Sequence, residues 1–239
     1  MPNIHASAII EEGAKIASDV KIGPFACISK DACLHSGVEV MQGAGIYGKT
    51  TIGENTKIFP YAMVGTPPQD SSYLPEDDVE VQIGKNCVIR EFVTINAGTK
   101  KGGGLTKVED ECFIMIYSHI AHDCFVGEGV IMANNATLAG HVNIGKHTVT
   151  GGMTPIHQFV NIGESCMIGG ASAISQDIPP FCLAEGNRAV VKGLNAVGLK
   201  RPFNKEDIRA LQQAFRALFR GKEALKDTAN KLLIKEKNE

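Results

Sequence analysis

The chemistry this chain could perform is concentrated in the segment His119-Ile120-Ala121-His122-Asp123-Cys124 and in two later dipeptides, Gly140-His141 and His157-Gln158. Four of the seven histidines fall in these three short segments. A histidine near its ordinary pKa of about 6.5 can take a proton from a hydroxyl, and a neighbouring carboxylate such as Asp123 can fix its tautomer. A glycine has no side chain to obstruct approach, so the N–H of Gly140 could face a developing oxyanion. A base with an oxyanion donor points to acyl transfer. Three imidazoles, His119, His122 and His141, could instead hold zinc and generate a hydroxide. A third reading is no chemistry at all, with the segment part of a rigid binding rod. No G-x-S-x-G, Walker or G-x-G-x-x-G element after a strand points to another enzyme class.

What positions these residues is a repeat. From Ile4 every sixth residue to Val64 is apolar, eleven without a miss, and the period returns at Ile83, Ile89 and Ile95. It then runs from Val108 to Ile174, where Thr150 alone departs from apolar character. Four residues after each stands a small or β-branched residue, such as Ala26, Ala62, Cys124 or Val142. A period of six fits neither a 3.6-residue helix nor an isolated alternating strand; it is the signature of a parallel β-helix. Three hexads per triangular turn make a coil of 18 residues, which stacks His122, Gly140, Gln158 and Gln176 at one corner on successive coils. Glycines after the apolar residue (Gly23, Gly53, Gly84, Gly127, Gly145, Gly163, Gly169) predict a turn with positive φ there.

The period breaks twice, over 66–80 and 100–107, which predicts extruded loops, and loops expelled from repeats often carry function. The coil is expected to occupy residues 1–180. Residues 181–239 are expected to form a largely α-helical extension, irregular through Asn187-Arg188. One helix should be capped by Asn204, present Ile208, Leu211, Phe215, Leu218 and Phe219 on one face, and end at Gly221. A second is expected around Glu223–Ile234, followed by a frayed tail, Lys235–Glu239.

Composition narrows the partners. The formal net charge of −2 and the absence of a basic excess give no reason to expect nucleic acid. No apolar run approaches the ~18 residues of a membrane span, and no leader is recognisable, so a cytoplasmic protein is expected. Seven cysteines without a C-x-x-C pair predict buried, reduced thiols. Between Gly186 and Lys226 lie ten Lys or Arg residues and far fewer acidic ones, a face suited to an acidic partner.

Several strings carry a further resemblance. His119-Ile120-Ala121-His122-Asp123-Cys124, Ala133-Asn134-Asn135-Ala136-Thr137-Leu138-Ala139-Gly140-His141, Gly151-Gly152-Met153 and His157-Gln158-Phe159 resemble those of the bacterial UDP-N-acetylglucosamine O-acyltransferase family. So do Gln69-Asp70, Gly102-Gly103-Gly104-Leu105-Thr106-Lys107 and Gly198-Leu199-Lys200-Arg201. The resemblance implies a left-handed parallel β-helix, a homotrimer with active sites between subunits, and a C-terminal helical region. It implies transfer of a (3R)-3-hydroxyacyl group from acyl carrier protein, an acidic donor, to the glucosamine 3-hydroxyl of UDP-N-acetylglucosamine. This is the first step of lipid A biosynthesis, and it needs no cofactor or metal. It makes His122 the general base, Asp123 its orienting carboxylate and the Gly140 N–H the oxyanion donor. Asp70, His119, His141, His157, Gln158, Asn195 and Arg201 become contacts to sugar nucleotide or donor, and Gly170 the position that limits acyl length. The chain departs from the family pattern at Ser72, where Lys is frequent, at Asn96, which can be His, and at Pro202, which replaces a frequent Arg. A 3-amino UDP-sugar, acylated to an amide, is the alternative acceptor. A zinc enzyme resembling γ-type carbonic anhydrases is the remote alternative.

Overall fold

In a computed structural model, which describes residues 1–221 and 223–236, the repeat closes into a left-handed parallel β-helix. Most strands are two residues long and lie in three faces of eleven, eight and eight strands, every third strand in sequence pairing in parallel. The first face begins with Asn3–Ile4 on Lys21–Ile22, the second with Ile9–Ile10 on Cys27–Ile28, the third with Lys15–Ile16 on Cys33–Leu34. Register keeps like above like, so that Ile28 stands on Ile46 and Ile120 on Leu138.

The hexad explains itself in this geometry. The apolar residue and the small residue four places later both point into the coil: Ile28, Ile58, Ile95, Ile120 and Leu138 are buried with Ala26, Ala62, Cys124 and Val142. Thr150 is buried too, and its hydroxyl finds no partner among the described residues. The seven cysteines are free, and burial pushes the Cys124 thiol up to about 12 and the Cys166 thiol up to about 11, which keeps both protonated and inert.

The glycines after the apolar residue are there for a different reason than turn conformation. None of the seven has positive φ. The left-handed position comes two residues later; glycine holds it in some coils, as at Gly37, Gly43 and Gly129, and other residue types hold it in most, among them Phe25, Tyr61, Phe92, Tyr117, Asp123 and His141. What those glycines provide is close stacking: a Cβ on Gly127 would meet the backbone nitrogen of Lys146 at 2.6 Å.

Both breaks are expelled with the apolar column kept in line, although pairing slips by one residue between Val64 and Thr66 where the first loop leaves. Val64 pairs with Ile95 and Ile95 with Ile120, although these lie 31 and 25 residues apart instead of 18. The excess leaves at one edge of the prism, between the second and third faces. This loop edge is the corner occupied by His122 and Asp123 on the next coil. At the edge between first and second faces no residue is expelled, and Tyr61, Phe92 and Tyr117 form a stacked ladder with centroids 5.4 and 5.1 Å apart.

Beyond Ile178 the chain is less simply helical than its sequence suggests. Cys182–Glu185 extends the first face in parallel with Met167–Ile168, and Val190–Leu194 returns antiparallel to it, where an irregular link is expected. Short helix α1 (Ala196–Leu199) follows, then α2 (Lys205–Arg220) and α3 (Leu225–Glu236). Asn204 caps α2, accepting from the N–H groups of Glu206 and Asp207 at 2.8 and 3.0 Å. Gly221 ends it with extended backbone rather than a left-handed cap. Phe215 is its buried anchor, stacked on Phe219, while Ile208, Leu211 and Leu218 are half-buried. The expected frayed tail begins too early, since Lys235 and Glu236 belong to α3; residues 237–239 lie outside the described residues.

Candidate active site

The loop edge gathers two carboxylates, four histidines and two loops. The Asp123 carboxylate is 1% exposed, an arrangement that costs several kcal/mol unless donors surround it. Three are present. The Thr99 N–H donates to Oδ1 at 2.8 Å, the Thr99 hydroxyl to Oδ2 at 2.6 Å, and His122 Nδ1 lies 2.8 Å from Oδ2. The Asp123 N–H itself donates to the Thr106 hydroxyl at 2.8 Å. Thr99 opens the second expelled segment and caps its short 3-10 helix, Lys100–Gly102, whereas Thr106 is already in the strand Leu105–Val108, paired with Glu80–Ile83 on the third face, so the extrusion ends before 107. Gly102 is pressed against the Asp123 carboxylate so closely that a Cβ there would collide with it.

His122 is held by that hydrogen bond and by the coil above. With its proton on Nδ1 it donates to Asp123, leaving the Nε2 lone pair for a substrate. Gly140 packs on the ring: a Cβ at this position would lie 2.6 Å from His122 Nε2 and still closer to Cε1. The Gly140 carbonyl accepts from the Phe159 N–H, while the Gly140 N–H makes no hydrogen bond among the described residues. An imidazole ring and a backbone N–H with no partner among the described residues therefore lie side by side, the groups that a general base and an oxyanion donor require.

Two further histidines flank the pair. His141 donates its backbone N–H to the His122 carbonyl at 3.0 Å, meets the His122 ring edge-on at 5.1 Å and stacks on Phe159 at 4.6 Å. Its Nε2 is 3.7 Å from Asp123 Oδ2, too long for a hydrogen bond. The ring of His119, in the strand just before the dyad, turns to the Thr94 hydroxyl at 2.7 Å. Burial, with a smaller effect of charge at His122, holds its pKa below the ordinary histidine value.

Asp70 reaches the same edge from the first expelled loop. Hydrogen bonds from Ser72, including its N–H at 2.7 Å, hold the carboxyl below the usual carboxylate range, and charges at His122 and Lys101 add to this. Ser72, a departure from the family pattern, thus serves as a local cap on Asp70. Asn96, another departure, pins the root of that loop, donating to the Thr66 hydroxyl at 2.8 Å and the Pro67 carbonyl at 3.1 Å.

His157 and Gln158 lie one coil beyond Gly140 on the same edge, both exposed, with His157 Nδ1 3.1 Å from the Gln158 carbonyl. The remaining candidates lie elsewhere on the chain. Gly170 is on the aromatic edge, where a Cβ would meet only the Gly152 backbone, at 3.5 Å or more. Asn195 is at the third edge, its amide committed to the Ser165 carbonyl at 2.8 Å and to capping α1. Arg201 follows α1 and is exposed, as is Pro202.

Among the described residues, the three able to share a metal ion are His122, Asp123 and His141, not the all-histidine set that includes His119. Sequence reasoning does not reach Thr99, and it reaches Gly102 and Thr106 only as members of the second break and of a matching string, without a role. A signal exists, since the second break starts after the same face as His122, one coil earlier.

A parallel β-helix wound from hexapeptide repeats places the chain in the class of hexapeptide-repeat transferases. Residues 105–140 match the family model for bacterial transferase hexapeptide (six repeats), and residues 177–239 match that for domain 2 of UDP N-acetylglucosamine O-acyltransferase. The chain is 56% identical over its whole length to an acyl-[acyl-carrier-protein]–UDP-N-acetylglucosamine O-acyltransferase of Campylobacter concisus, covering 91% of that protein. It superposes on the UDP-N-acetylglucosamine acyltransferase of Campylobacter jejuni with TM-score 0.92 and 56% identity, covering 98% of this chain and 90% of that one. The Francisella novicida UDP-N-acetylglucosamine acyltransferase gives TM-score 0.93 and 35% identity, over 98% and 85% of the two chains. The chain belongs to the UDP-N-acetylglucosamine O-acyltransferase family.

Proposed function

We propose that the chain transfers a (3R)-3-hydroxyacyl group from acyl carrier protein to the 3-hydroxyl of the glucosamine unit of UDP-N-acetylglucosamine, the first step of lipid A biosynthesis. The observation that carries the mechanism is the His122–Asp123 pair at 2.8 Å with Gly140 packed on the histidine ring. His122 Nε2 takes the proton of the acceptor hydroxyl as its oxygen attacks the thioester carbonyl. The Gly140 N–H donates to the oxyanion that develops, and collapse of the tetrahedral intermediate expels the carrier thiolate, which recovers a proton from the imidazolium. Asp123 keeps the ring in the required tautomer. Asp70, His119, His141, His157 and Gln158 line the route of sugar nucleotide and donor along the loop edge.

Gly170, Asn195 and Arg201 lie on other edges of the chain. They reach a loop-edge site only from a neighbouring copy, which supports a homotrimer with sites between subunits. The coil, 1–180, then carries the dyad, and the basic extension, 181–239, meets the acidic acyl carrier protein. No described helix is long and apolar enough to cross a membrane, and we place the reaction in the cytoplasm.

Mass spectrometry of products formed from UDP-N-acetylglucosamine and its 3-amino analogue with a ladder of acyl carrier protein thioesters tests the proposal. An ester on the 3-oxygen is expected. Amide formed on the 3-amino sugar alone would replace the acceptor, and no acyl product from either sugar would sink the reading.

A further inference from the structure

The Asp123 carboxylate faces two histidines rather than one. His122 Nδ1 is 2.8 Å and His141 Nε2 is 3.7 Å from Oδ2, and one ligand-capable atom from each residue lies within 4.8 Å of the other two. A tetrahedral zinc ion with bonds of about 2.0–2.1 Å sets neighbouring ligand atoms roughly 3.3 Å apart. That value falls between the two separations to Oδ2, and the third, between the two imidazoles, is within 4.8 Å, so side-chain rotations of about an ångström bring three ligands to one ion. Two imidazoles and a carboxylate are a donor set suited to zinc.

The surroundings are built as metal sites require. Thr99 orients the carboxylate with two donors, and the His141 ring is fixed by its stack on Phe159. The side chains of His122 and Asp123 are 9% and 1% exposed, while that of His141 is 24% exposed and leaves an approach from solvent.

We propose that His122, Asp123 and His141 form an inhibitory zinc site in which the ion replaces the proton shared between His122 and Asp123. The inhibition rests on the reading of His122 as the base. In the working dyad the imidazole proton is on Nδ1 and the Nε2 lone pair receives the substrate proton. Zinc needs the Nδ1 lone pair, so in the neutral ring the proton moves to Nε2. The ring keeps its proton count and no electron is transferred, but Nε2 changes from acceptor to donor. The base is switched off by tautomer alone, and the fourth zinc position stays open to water.

The test is calorimetric titration of the chelator-treated full chain with zinc chloride, alongside 15N NMR of the histidine rings and acyl transfer assays. One ion per chain is expected. Binding should move His122 to the Nε2-protonated tautomer and stop acyl transfer, with recovery when chelator is added. His141→Gln should weaken binding by at least about tenfold, and Thr99→Val, which removes a donor that orients Asp123, by roughly tenfold. His119→Gln should leave it unchanged, since that ring faces Thr94. Equal binding by the chain and by His141→Gln would mark adventitious uptake by surface histidines and overturn the proposal; so would no binding, or binding that leaves acyl transfer intact. The two readings fail separately. A chain that transfers acyl groups but binds no zinc refutes the metal site alone, and one that binds zinc with this variant pattern but transfers nothing refutes the acyltransferase reading.

Discussion

The aromatic edge and the loop edge are corners of the same coils, built on the same backbone, yet they differ in everything that bears on chemistry. Tyr61, Phe92 and Tyr117 hold φ of 62°, 58° and 60°; Asp123, His141 and Phe159 on the loop edge hold 58°, 61° and 67°. On the aromatic edge the side chains stack on one another and stay exposed. On the loop edge a carboxylate is buried. The repeat supplies spacing and direction at both corners, and its corner N–H groups serve carboxylates that stay nearer the surface, such as Asp19 and Asp110, but the buried Asp123 takes no N–H from a coil corner among the described residues. The expelled segment makes the difference, since Thr99 brings two hydrogen bonds to Asp123 that no coil residue provides. A regular solenoid acquires chemistry where its regularity is interrupted.

That comparison breaks first at His122. His122→Ala should lower acyl transfer by about 10²–10⁴-fold, the range for a general base, while thermal unfolding followed by circular dichroism stays as in the parent chain. Activity within a few fold of the parent would move the base elsewhere on the edge. Gly140→Ala comes next. The added Cβ must push the His122 ring off the line joining it to Asp123, and misplacing a reacting group by such amounts costs on the order of 10²-fold. Steady-state assays should show the loss in kcat, with KM little changed. A Cβ tolerated there would show that the ring has room to move and that the contact is not what holds it.

Much of this architecture is legible in the sequence. The apolar column from Ile4 and the small column from Ala8 specify a coil, because a residue every sixth place points inward only if three strands make a turn. The corner at which the two breaks leave is legible too. Counting hexads in threes, Val64 and Ile95 both stand on the second face, as Ile120 does, so both expelled segments leave at the corner of His122. Which loop residues turn back onto Asp123 is not legible, since Thr99 is one of several polar residues in a segment with no period. The glycines mislead for a related reason. A residue that keeps adjacent coils close and one that permits positive φ look alike in sequence, and only stacking contacts separate them. The hairpin of Cys182–Glu185 and Val190–Leu194 escapes a periodicity argument because it follows a proline pair and falls outside the hexad period.

The aromatic edge should respond in stability rather than in catalysis. Phe92 stacks on both Tyr61 and Tyr117, and each such pair contributes about 0.5–1.5 kcal/mol beyond buried area. Phe92→Ala should therefore lower the free energy of unfolding by about 1–3 kcal/mol in denaturant titration. The His122→Ala chain should show no comparable loss. Equal losses at both corners would mean that the loop edge is also a major stabilising element, and the contrast between the two edges would vanish.

The smallest effect expected is a pH dependence at His119. Burial lowers its folded-state pKa, with charge at His122 adding to the shift, whereas the unfolded chain keeps the ordinary value near about 6.5. Between the folded value and about 6.5 the unfolded state therefore binds more protons than the folded one. Stability rises with pH across that window and is lost as pH falls through it. His119→Gln preserves a partner for the Thr94 hydroxyl and removes the titration. The denaturant midpoint of the parent chain should accordingly fall further between about pH 7.5 and about pH 5.5 than that of the variant. Parallel falls would assign the pH dependence to other groups and leave His119 as a hydrogen-bonded neighbour of the dyad whose burial carries no titration cost.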